Sequence, residues 1–311
     1  RALAQVRNVA TPHAEIDDTL HAVPWKNIDN IAPAGSINSS VADMSQWVRM
    51  QLNGGKVGTK SVVSAGTLTE THSAQTVIPV SADNRQLNPY THLQAYGLGW
   101  FIQDYRGREL RQHGGNIDGM SAMVALVPEE KLGVVVLTNA NGSPMPTIAL
   151  YRAIDALVGA TPRDWSGEYR KLVTKQRALG KEAESKRLAQ RQSGTSPSLL
   201  LDKYVGVYAD SLFGGAKVRS EGGKLHLAYG RTFDGELEHW HHDTFRASWK
   251  NRMQGKSFVT FAFDADGKVK GVDVEGWRFD TLAAMSDDGK IIAGTALSPE
   301  MRIEGFVARL P

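Results

Sequence analysis

Four consecutive residues, His113, Gly114, Gly115 and Asn116, form the segment of this 311-residue sequence with the clearest chemical potential. An imidazole can orient a hydroxyl group or donate a hydrogen bond to a bound ligand. Glycines without side chains leave room for that ligand to lie close to the backbone. If the segment is a strand edge, its N–H and C=O groups can bind an extended ligand. The four residues therefore predict one wall of a ligand-binding cleft.

The residues around this segment predict that it lies in an antiparallel sheet. A Tyr-Gly-Leu-Gly-Trp run precedes it at 96–100, and an apolar run follows at 120–127. A Pro-containing turn at 128–133 and a second apolar run at 134–137 continue the pattern. Strand-like runs joined by short turns favour a meander rather than parallel units, so residues 95–139 are predicted to form at least four antiparallel strands.

Helical patterns flank this predicted sheet. Apolar residues recur at helical spacing over Val41–Leu52, with Ser40 as N-cap and Asp43 at the third helical position. A second amphipathic helix is predicted at 146–158, where it would pack on one face of the sheet. Residues 1–40 are predicted to be irregular, and the Lys-, Arg- and Glu-rich segment 164–192 to be an exposed helix. A short helix is predicted near 65–72.

From residue 200 the pattern changes to seven short alternating runs separated by turns, which predicts a small antiparallel barrel or sandwich. These runs cover 204–208, 216–219, 224–229, 236–240, 244–249, 257–263 and 268–274. Segments 290–296 and 302–308 predict an additional hairpin-like tail. The expected fold class is thus α+β, with a separate all-β barrel. The predicted domains are 1–160, a helical linker at 161–196, the barrel at 197–283 and the tail at 284–311.

Three motifs resemble those of a known family. In chain order they are segment 33–47, His113-Gly114-Gly115 and segment 132–139. The sequence resembles the C-terminal portion of serine hydrolases related to class C β-lactamases and penicillin-binding proteins. In that family His-Gly-Gly is one version of a Lys-Thr-Gly motif that walls the site. The resemblance implies that His113 takes the position of the Lys, and that the N–H of Asn116 donates to the oxyanion. Residues 197–283 resemble the lipocalin-like β-domain often appended to such enzymes.

The nucleophile of that family is absent from the sequence. No Ser or Thr is followed three residues later by Lys, and no Tyr-x-Asn occurs. The resemblance therefore implies a partner, an N-terminal catalytic segment that carries the nucleophile. It also implies acyl transfer to Ser and then to water, from a small-molecule or peptide substrate, without metal or cofactor, in a periplasmic or secreted protein. Replacing Lys-Thr by His113-Gly114 removes a permanent charge and a hydroxyl, which favours an ester, amide or peptide substrate over a β-lactam.

Composition excludes several other classes. The absence of Cys excludes disulfides and thiolate catalysis. A net charge of +3, spread along the chain without a dense basic block, argues against nucleic acid as a partner. No apolar run reaches the length of about 18 residues that a membrane-spanning helix needs.

Alternative interpretations remain open at this point. Ser36, Ser39 or Ser40 is a candidate nucleophile for a triad with His113 and Asp118, although helix capping explains Ser40 more simply. Residues His239, His241, His242 and Asp243 are candidate metal ligands, although a partly exposed strand end explains them better. The aromatic residues of the barrel favour a packed core over a lipophilic cavity; these are Trp240, Phe245, Trp249, Phe258, Phe261 and Phe263. The competing functional class is a non-catalytic binding module built on a hydrolase remnant.

Overall fold

The computed structural model describes residues 6–281, 284–285, 291–297 and 303–309. The chain divides into two compact units, residues 1–181 and 182–311. Within the described ranges, no helix combines the length and the apolar character of a membrane span.

The first unit is built on a six-stranded antiparallel sheet with the strand order β10-β9-β8-β7-β6-β5. The strands among the described residues of this unit are β1 His13–Ile16, β2 Thr19–Ala22, β3 Lys56–Val57, β4 Lys60–Ser61, β5 Thr76–Val77, β6 Gln94–Tyr96, β7 Phe101–Tyr105, β8 Arg108–Ile117, β9 Met120–Val127 and β10 Leu132–Thr138. Strands β6 to β10 are sequential neighbours, which confirms the predicted meander. The turn between β9 and β10 is a single 3-10 turn, Pro128–Glu130, followed by Lys131 in the left-handed region at φ 50°.

Helices cover both faces of this sheet. The α-helices in the described part of the chain are α1 Ala32–Gly35, α2 Val41–Leu52, α3 Ala65–Thr71, α4 Ala82–Leu87, α5 Met145–Leu157 and α6 Trp165–Ala189. Helix α2 buries Val48 against Leu126 of β9 on one face. Helix α5 buries Leu150 and Ile154 against Ala125 on the other. The two β9 residues are adjacent in sequence, so their side chains point to opposite faces, as strand geometry requires.

The start of α2 follows the predicted capping chemistry. Ser40 Oγ accepts a hydrogen bond from the backbone N–H of Asp43 at 3.1 Å, and donates one to the Asp43 carboxylate at 2.9 Å. These bonds satisfy an N–H group that has no partner within the helix and place an acidic side chain in the first turn, where the helix dipole favours it. The predicted helix bounds are confirmed.

Two predictions for the first unit are wrong in part. Residues 1–40 are not wholly irregular, because β1, β2 and α1 lie there. Strand β1 is held by distant backbone groups: His13 N–H donates to Gly119 O at 3.1 Å, and Asn141 N–H donates to His13 O at 2.8 Å. Helix α6 is not exposed along its whole length either, because Trp165 is buried and donates to Asp155 through its indole N–H at 2.8 Å.

The second unit contains a closed antiparallel barrel of eight strands, in which β18 pairs back to β11. After a 3-10 turn, Leu201–Tyr204, the strands are β11 Gly206–Asp210, β12 Gly214–Glu221, β13 Lys224–Tyr229, β14 Phe233–His241, β15 Thr244–Trp249, β16 Lys256–Phe263, β17 Val269–Val274 and β18 Trp277–Thr281. One strand more than predicted closes the barrel. The α+β class with a separate small barrel is confirmed. Beyond it, β19 Ala284–Met285, β20 Ile291–Leu297 and β21 Ile303–Arg309 form a three-stranded sheet.

The barrel interior is packed with apolar side chains, among them Phe245, Trp249 and Phe261 as predicted. The same prediction is wrong for Trp240 and Phe258, which lie on the outer surface. The Arg191 guanidinium lies 4.7 Å from the Trp240 ring centroid, and that of Arg187 lies 4.1 Å from the Phe258 ring. Cation–π contacts therefore attach the end of α6, and the residues after it, to the outside of the barrel.

Candidate active site

Strand β8 extends beyond its neighbour β7, and the predicted cleft wall lies on the extension. Pairing between the two strands ends at Phe101 and Gln112. Pairing with β9 continues to Ile117 and Met120. Residues 113–117 therefore have one strand edge that no described strand covers. On such an edge, alternate residues present their N–H and C=O groups outward, where an extended ligand can bind them. We call this segment, residues 113–117, the free edge.

The two glycines of the free edge are exposed to solvent together with Asn116. A Cβ added at Gly115 would have only Ala122 Cβ nearby, at 3.8 Å. A Cβ at Gly114 would lie 3.0 Å from Met123 Sδ. The chain's own packing thus does not require glycine at 115, and the space beside its backbone is open to a ligand.

Two hydrogen bonds fix the imidazole of His113. Its Nδ1 lies 2.6 Å from the carbonyl oxygen of Gly114, and its Nε2 lies 3.0 Å from the Tyr96 hydroxyl. A carbonyl oxygen only accepts, so Nδ1 carries the proton and the Nε2 of a neutral ring accepts from Tyr96. The Phe101 ring packs beside the imidazole, with 5.6 Å between centroids. The ring is therefore held at the start of the free edge.

The side chain of Asn116 is used for structure, which leaves its backbone for a ligand. Its Oδ1 accepts from Ser121 Oγ at 2.8 Å and from the N–H of Gly142 at 2.9 Å. Its Nδ2 donates to Asn141 Oδ1 at 3.3 Å. These bonds tie the end of β8 to the loop after β10 and so fix the direction of the backbone at Asn116.

The alternative triad is not assembled. Ser40 caps α2 as described above, and Ser39 Oγ donates to the Ser40 carbonyl at 3.4 Å. The Asp118 carboxylate pairs with Lys26 Nζ at 3.1 Å rather than with His113. Tyr96 belongs to the motif at 96–100, but its contact with His113 does not follow from that motif alone. The predicted meander is the feature that could have indicated this contact, because it places β6 two strands from β8, on the side of the free edge.

The histidines at the end of β14 are bonded to the backbone and to the segment after α6. His239 Nε2 lies 2.8 Å from the carbonyl oxygen of His242, and His242 Nε2 lies 2.7 Å from Gln192 Oε1. His241 Nδ1 accepts from the N–H of Gln192 at 3.2 Å. In the part of the chain that the structure describes, no three His, Asp or Glu side chains are grouped as metal ligands.

With this geometry established, comparison with known proteins decides the family. The sequence profile named "Beta-lactamase" matches residues 1–158, half of the chain. The chain belongs to the β-lactamase family. A second profile, described as a domain of unknown function (DUF3471), matches residues 190–290, which include the whole barrel. The β-lactamase match covers the free edge and both helices that flank the sheet.

Relatives of this β-lactamase-family chain carry hydrolase names. It is 32% identical over 228 residues to "Unguisins hydrolase ungD" of Aspergillus violaceofuscus, covering 68% of this chain and 39% of that protein. It is 30% identical over 194 residues to "Unguisins hydrolase ungD'" of Aspergillus campestris, covering 60% and 34%. The chain thus spans less than half the length of these relatives. Family and names together support a hydrolase.

Among solved structures, the chain is similar to the octameric penicillin-binding protein homologue from Pyrococcus abyssi. The identity is 21%, the TM-score is 0.43, and the match covers 89% of this chain and 54% of that one.

Proposed function

We propose that this β-lactamase-family chain forms one wall of the active site of a serine hydrolase, and that a polypeptide segment outside these 311 residues supplies the nucleophile. The reaction is acyl transfer to a serine and then to water, from an ester, amide or peptide. One observation carries the proposal: the free edge is open, glycine-rich and headed by an oriented imidazole. Each of these features suits an acyl chain lying against the backbone.

Each residue has a distinct role in this proposal. The N–H of Asn116 donates to the oxyanion that forms when the nucleophile attacks the acyl carbon, and loss of one such donor typically costs about 10²–10³ in turnover. Gly114 and Gly115 admit the substrate to the edge. His113 orients the Tyr96 hydroxyl, whose oxygen can then accept a hydrogen bond from the substrate or from the nucleophile segment.

The far edge of the sheet supports the proposed partner segment. Among the described strands, β10 pairs only with β9. Its residues Val134, Val135 and Val136 are only half-buried, although an apolar strand of this kind is typical of a sheet interior. A further strand beside β10 would bury them, and the nucleophile segment can supply it. The small-molecule or peptide acyl substrate and the periplasmic or secreted location stay predictions.

A fluorophosphonate probe, which reacts with activated serines, tests this function. We expect no labelling of the 311-residue chain, and labelling of the natural protein with its upstream residues at a serine outside this chain. Heat-denatured protein serves as the control for non-specific reaction. Labelling of the isolated chain at Ser36 or Ser39 contradicts the proposal, and failure of both forms to react supports the binding module instead.

A further inference from the structure

A cavity of about 300 Å³ lies behind the free edge, on the face of the sheet that α5 covers. Gly114 forms part of its wall, beside Phe101 of β7 and Met123 of β9. Helices α4, α5 and α6 contribute the remaining sides through residues such as Asn84, Tyr151 and Tyr169. Because Gly114 belongs both to this wall and to the free edge, the cavity adjoins the place where the proposed substrate lies.

The chemistry of the cavity wall is neutral and polar. Five amide side chains line it: Asn84, Asn88, Gln94, Gln103 and Gln112. Four hydroxyl side chains accompany them, and no Asp, Glu, Lys, Arg or His is present among the described lining residues. A wall of this composition can exchange hydrogen bonds with a ligand, but it cannot neutralise a charge.

Part of this hydrogen-bonding capacity is unused. The Tyr151 hydroxyl accepts from Gln103 Nε2 at 3.3 Å, Asn88 Nδ2 at 3.4 Å and Gln112 Nε2 at 3.5 Å. With the amides so oriented, Asn88 Oδ1 and Gln112 Oε1 are buried and have no hydrogen-bond partner among the described residues. Asn88 is only 9% exposed. Buried acceptors without partners are unfavourable, so rotation of either side chain toward a ligand that donates a hydrogen bond would be stabilising.

The free edge determines how a ligand reaches this cavity. An extended peptide that pairs with a strand edge directs successive side chains to opposite faces of the sheet. The cavity lies on one of these two faces. On that face such a side chain meets the mouth of the cavity at Gly114. One side chain of a bound peptide is therefore directed into the amide-lined space.

We infer that this cavity is a specificity pocket for an uncharged polar side chain of the substrate, best a carboxamide; the inference rests on the proposed function. A carboxamide donates N–H groups to Asn88 Oδ1 and Gln112 Oε1 once rotation of these side chains turns the two oxygens, which are buried, toward the cavity. An apolar side chain leaves both oxygens unpaired. A carboxylate or an ammonium group would enter a cavity whose wall carries no opposite charge. Burying a charge in this way is more unfavourable still.

Peptide ester substrates test the pocket in the full-length protein. Acyl-tripeptide methyl esters, in both L and D series, carry Gln, Leu, Glu or Lys at each position in turn. We expect kcat/KM at one position to favour Gln over the other three by about tenfold or more, because a site built for hydrogen bonding rejects side chains that cannot form them. Equal kcat/KM for Gln and Leu at every position overturns the inference.

A substitution that creates a new substrate preference can be told apart from one that only impairs folding. Gln112→Glu retains the side-chain shape and adds a carboxylate to the pocket. We expect the kcat/KM ratio of Lys to Gln substrates to rise about tenfold at about pH 8. The matched control is Gln51→Glu, the same change in a cavity on the opposite face, which should leave the ratio unchanged. A defect in folding lowers both rates but does not create a preference for Lys, so an unchanged ratio in Gln112→Glu overturns the inference.

Two measurements distinguish failure of the pocket from failure of the proposed function. Fluorophosphonate labelling and hydrolysis of p-nitrophenyl acetate report the acyl chemistry without any peptide side chain. If both succeed while the peptide rates are equal, the function stands and the pocket is wrong. If both fail, the function is wrong, and equilibrium binding of the same peptides decides the pocket: tighter binding of the Gln peptide supports it, and equal binding overturns it.

Discussion

Substitution of Gly115 should affect the proposed catalysis without affecting the stability of the fold. The Cβ of a Gly115→Ala variant would touch nothing closer than Ala122 Cβ at 3.8 Å, so we expect the Tm to stay unchanged. The methyl group would point to the face of the sheet beside Ala122, where it narrows the space for side chains of a substrate bound at the free edge. Displacements of about 1 Å typically cost about 100-fold in rate, so kcat/KM should fall by a factor of about 10 to 100.

The matched control for this prediction is Gly66→Ala. An added Cβ at Gly66 has nothing within 4 Å, so this position is likewise free of steric overlap, but it lies in α3, away from the free edge. Thermal unfolding and ester hydrolysis of both variants, measured in the full-length protein, check the expectation. Full activity of Gly115→Ala would show that substrate does not approach the backbone at this position.

His72 makes the stability of the first unit depend on pH. The ring is 8% exposed, its Nδ1 lies 2.8 Å from Arg111 Nη1, and its edge packs on Trp100. Burial and the Arg111 charge lower the pKa of His72 from 6.5 to about 4. Between these values the unfolded chain binds a proton that the folded chain does not, so stability is complete above about pH 6.5 and is lost as the pH falls toward 4. The loss is about 3 kcal/mol over this window, of which about 2 kcal/mol has occurred by pH 5.

We expect His72→Gln to remove most of this pH dependence, because Gln cannot be protonated yet can still accept from Arg111. The measurement is urea unfolding of wild type and variant at pH 7.5 and pH 5, conditions on either side of the usual histidine pKa of about 6.5. His21→Gln, at an exposed residue of β2, is the control. The same slope in wild type and His72→Gln would assign the pH dependence to other groups.

The contact between helix α2 and strand β10 depends on Gly133. A Cβ at this position would overlap Val48 Cγ1, a buried atom of α2. Gly133→Ala must therefore push the helix away from the sheet, and overpacking of this kind costs about 1–3 kcal/mol. Gly180→Ala in α6, where an added Cβ meets nothing within 4 Å, should instead stabilise by about 0.5–1 kcal/mol. Urea unfolding midpoints of the two variants should move in opposite directions; shifts in the same direction would contradict this account.

The elements that the sequence predicts are those with local causes. Helix α2 has a cap and a regular apolar stripe, and the meander has short turns between apolar runs. Strand β1 was missed although it pairs locally with β2, because the turn at Asp17 and Asp18 lacks the glycine typical of two-residue hairpin turns. Its place in the fold also depends on backbone hydrogen bonds with Gly119 and Asn141, more than 100 residues away. Alternation alone did not show which face of β14 and β16 turns inward, so Trp240 and Phe258 were assigned to the wrong side.

The candidate site shows the same division. A strand at 113–117 follows from the run of turns and apolar residues around it. Strand β7 begins only at Phe101, opposite Gln112, and so leaves residues 113–117 of β8 unpaired on that side. This offset depends on the register between the two strands. The contact of Tyr96 with His113 and the amide-lined cavity behind Gly114 depend on the same register. Sequence patterns give the period of a strand but not its offset from the next strand.

The barrel has the closed sheet and the separate core that allow a domain to fold on its own. Its eight strands close on themselves, so no edge strand is left without a partner within it. Its interior is a core of its own, in which Leu227, Val259 and Phe279 are completely buried. The first unit has a separate core around α5 and the sheet. Two cores without shared members predict two separate unfolding transitions.

We therefore expect a fragment of residues 182–311, the second unit, to unfold cooperatively in urea. Leu227→Ala should lower its unfolding free energy by about 2–5 kcal/mol, because it leaves a void at a position that is 0% exposed. Leu212→Ala, at a position that is 80% exposed, should change it by less than about 0.5 kcal/mol. Far-ultraviolet circular dichroism against urea measures both variants. A gradual transition, or equal effects of the two substitutions, would mean that the barrel depends on the first unit for its stability.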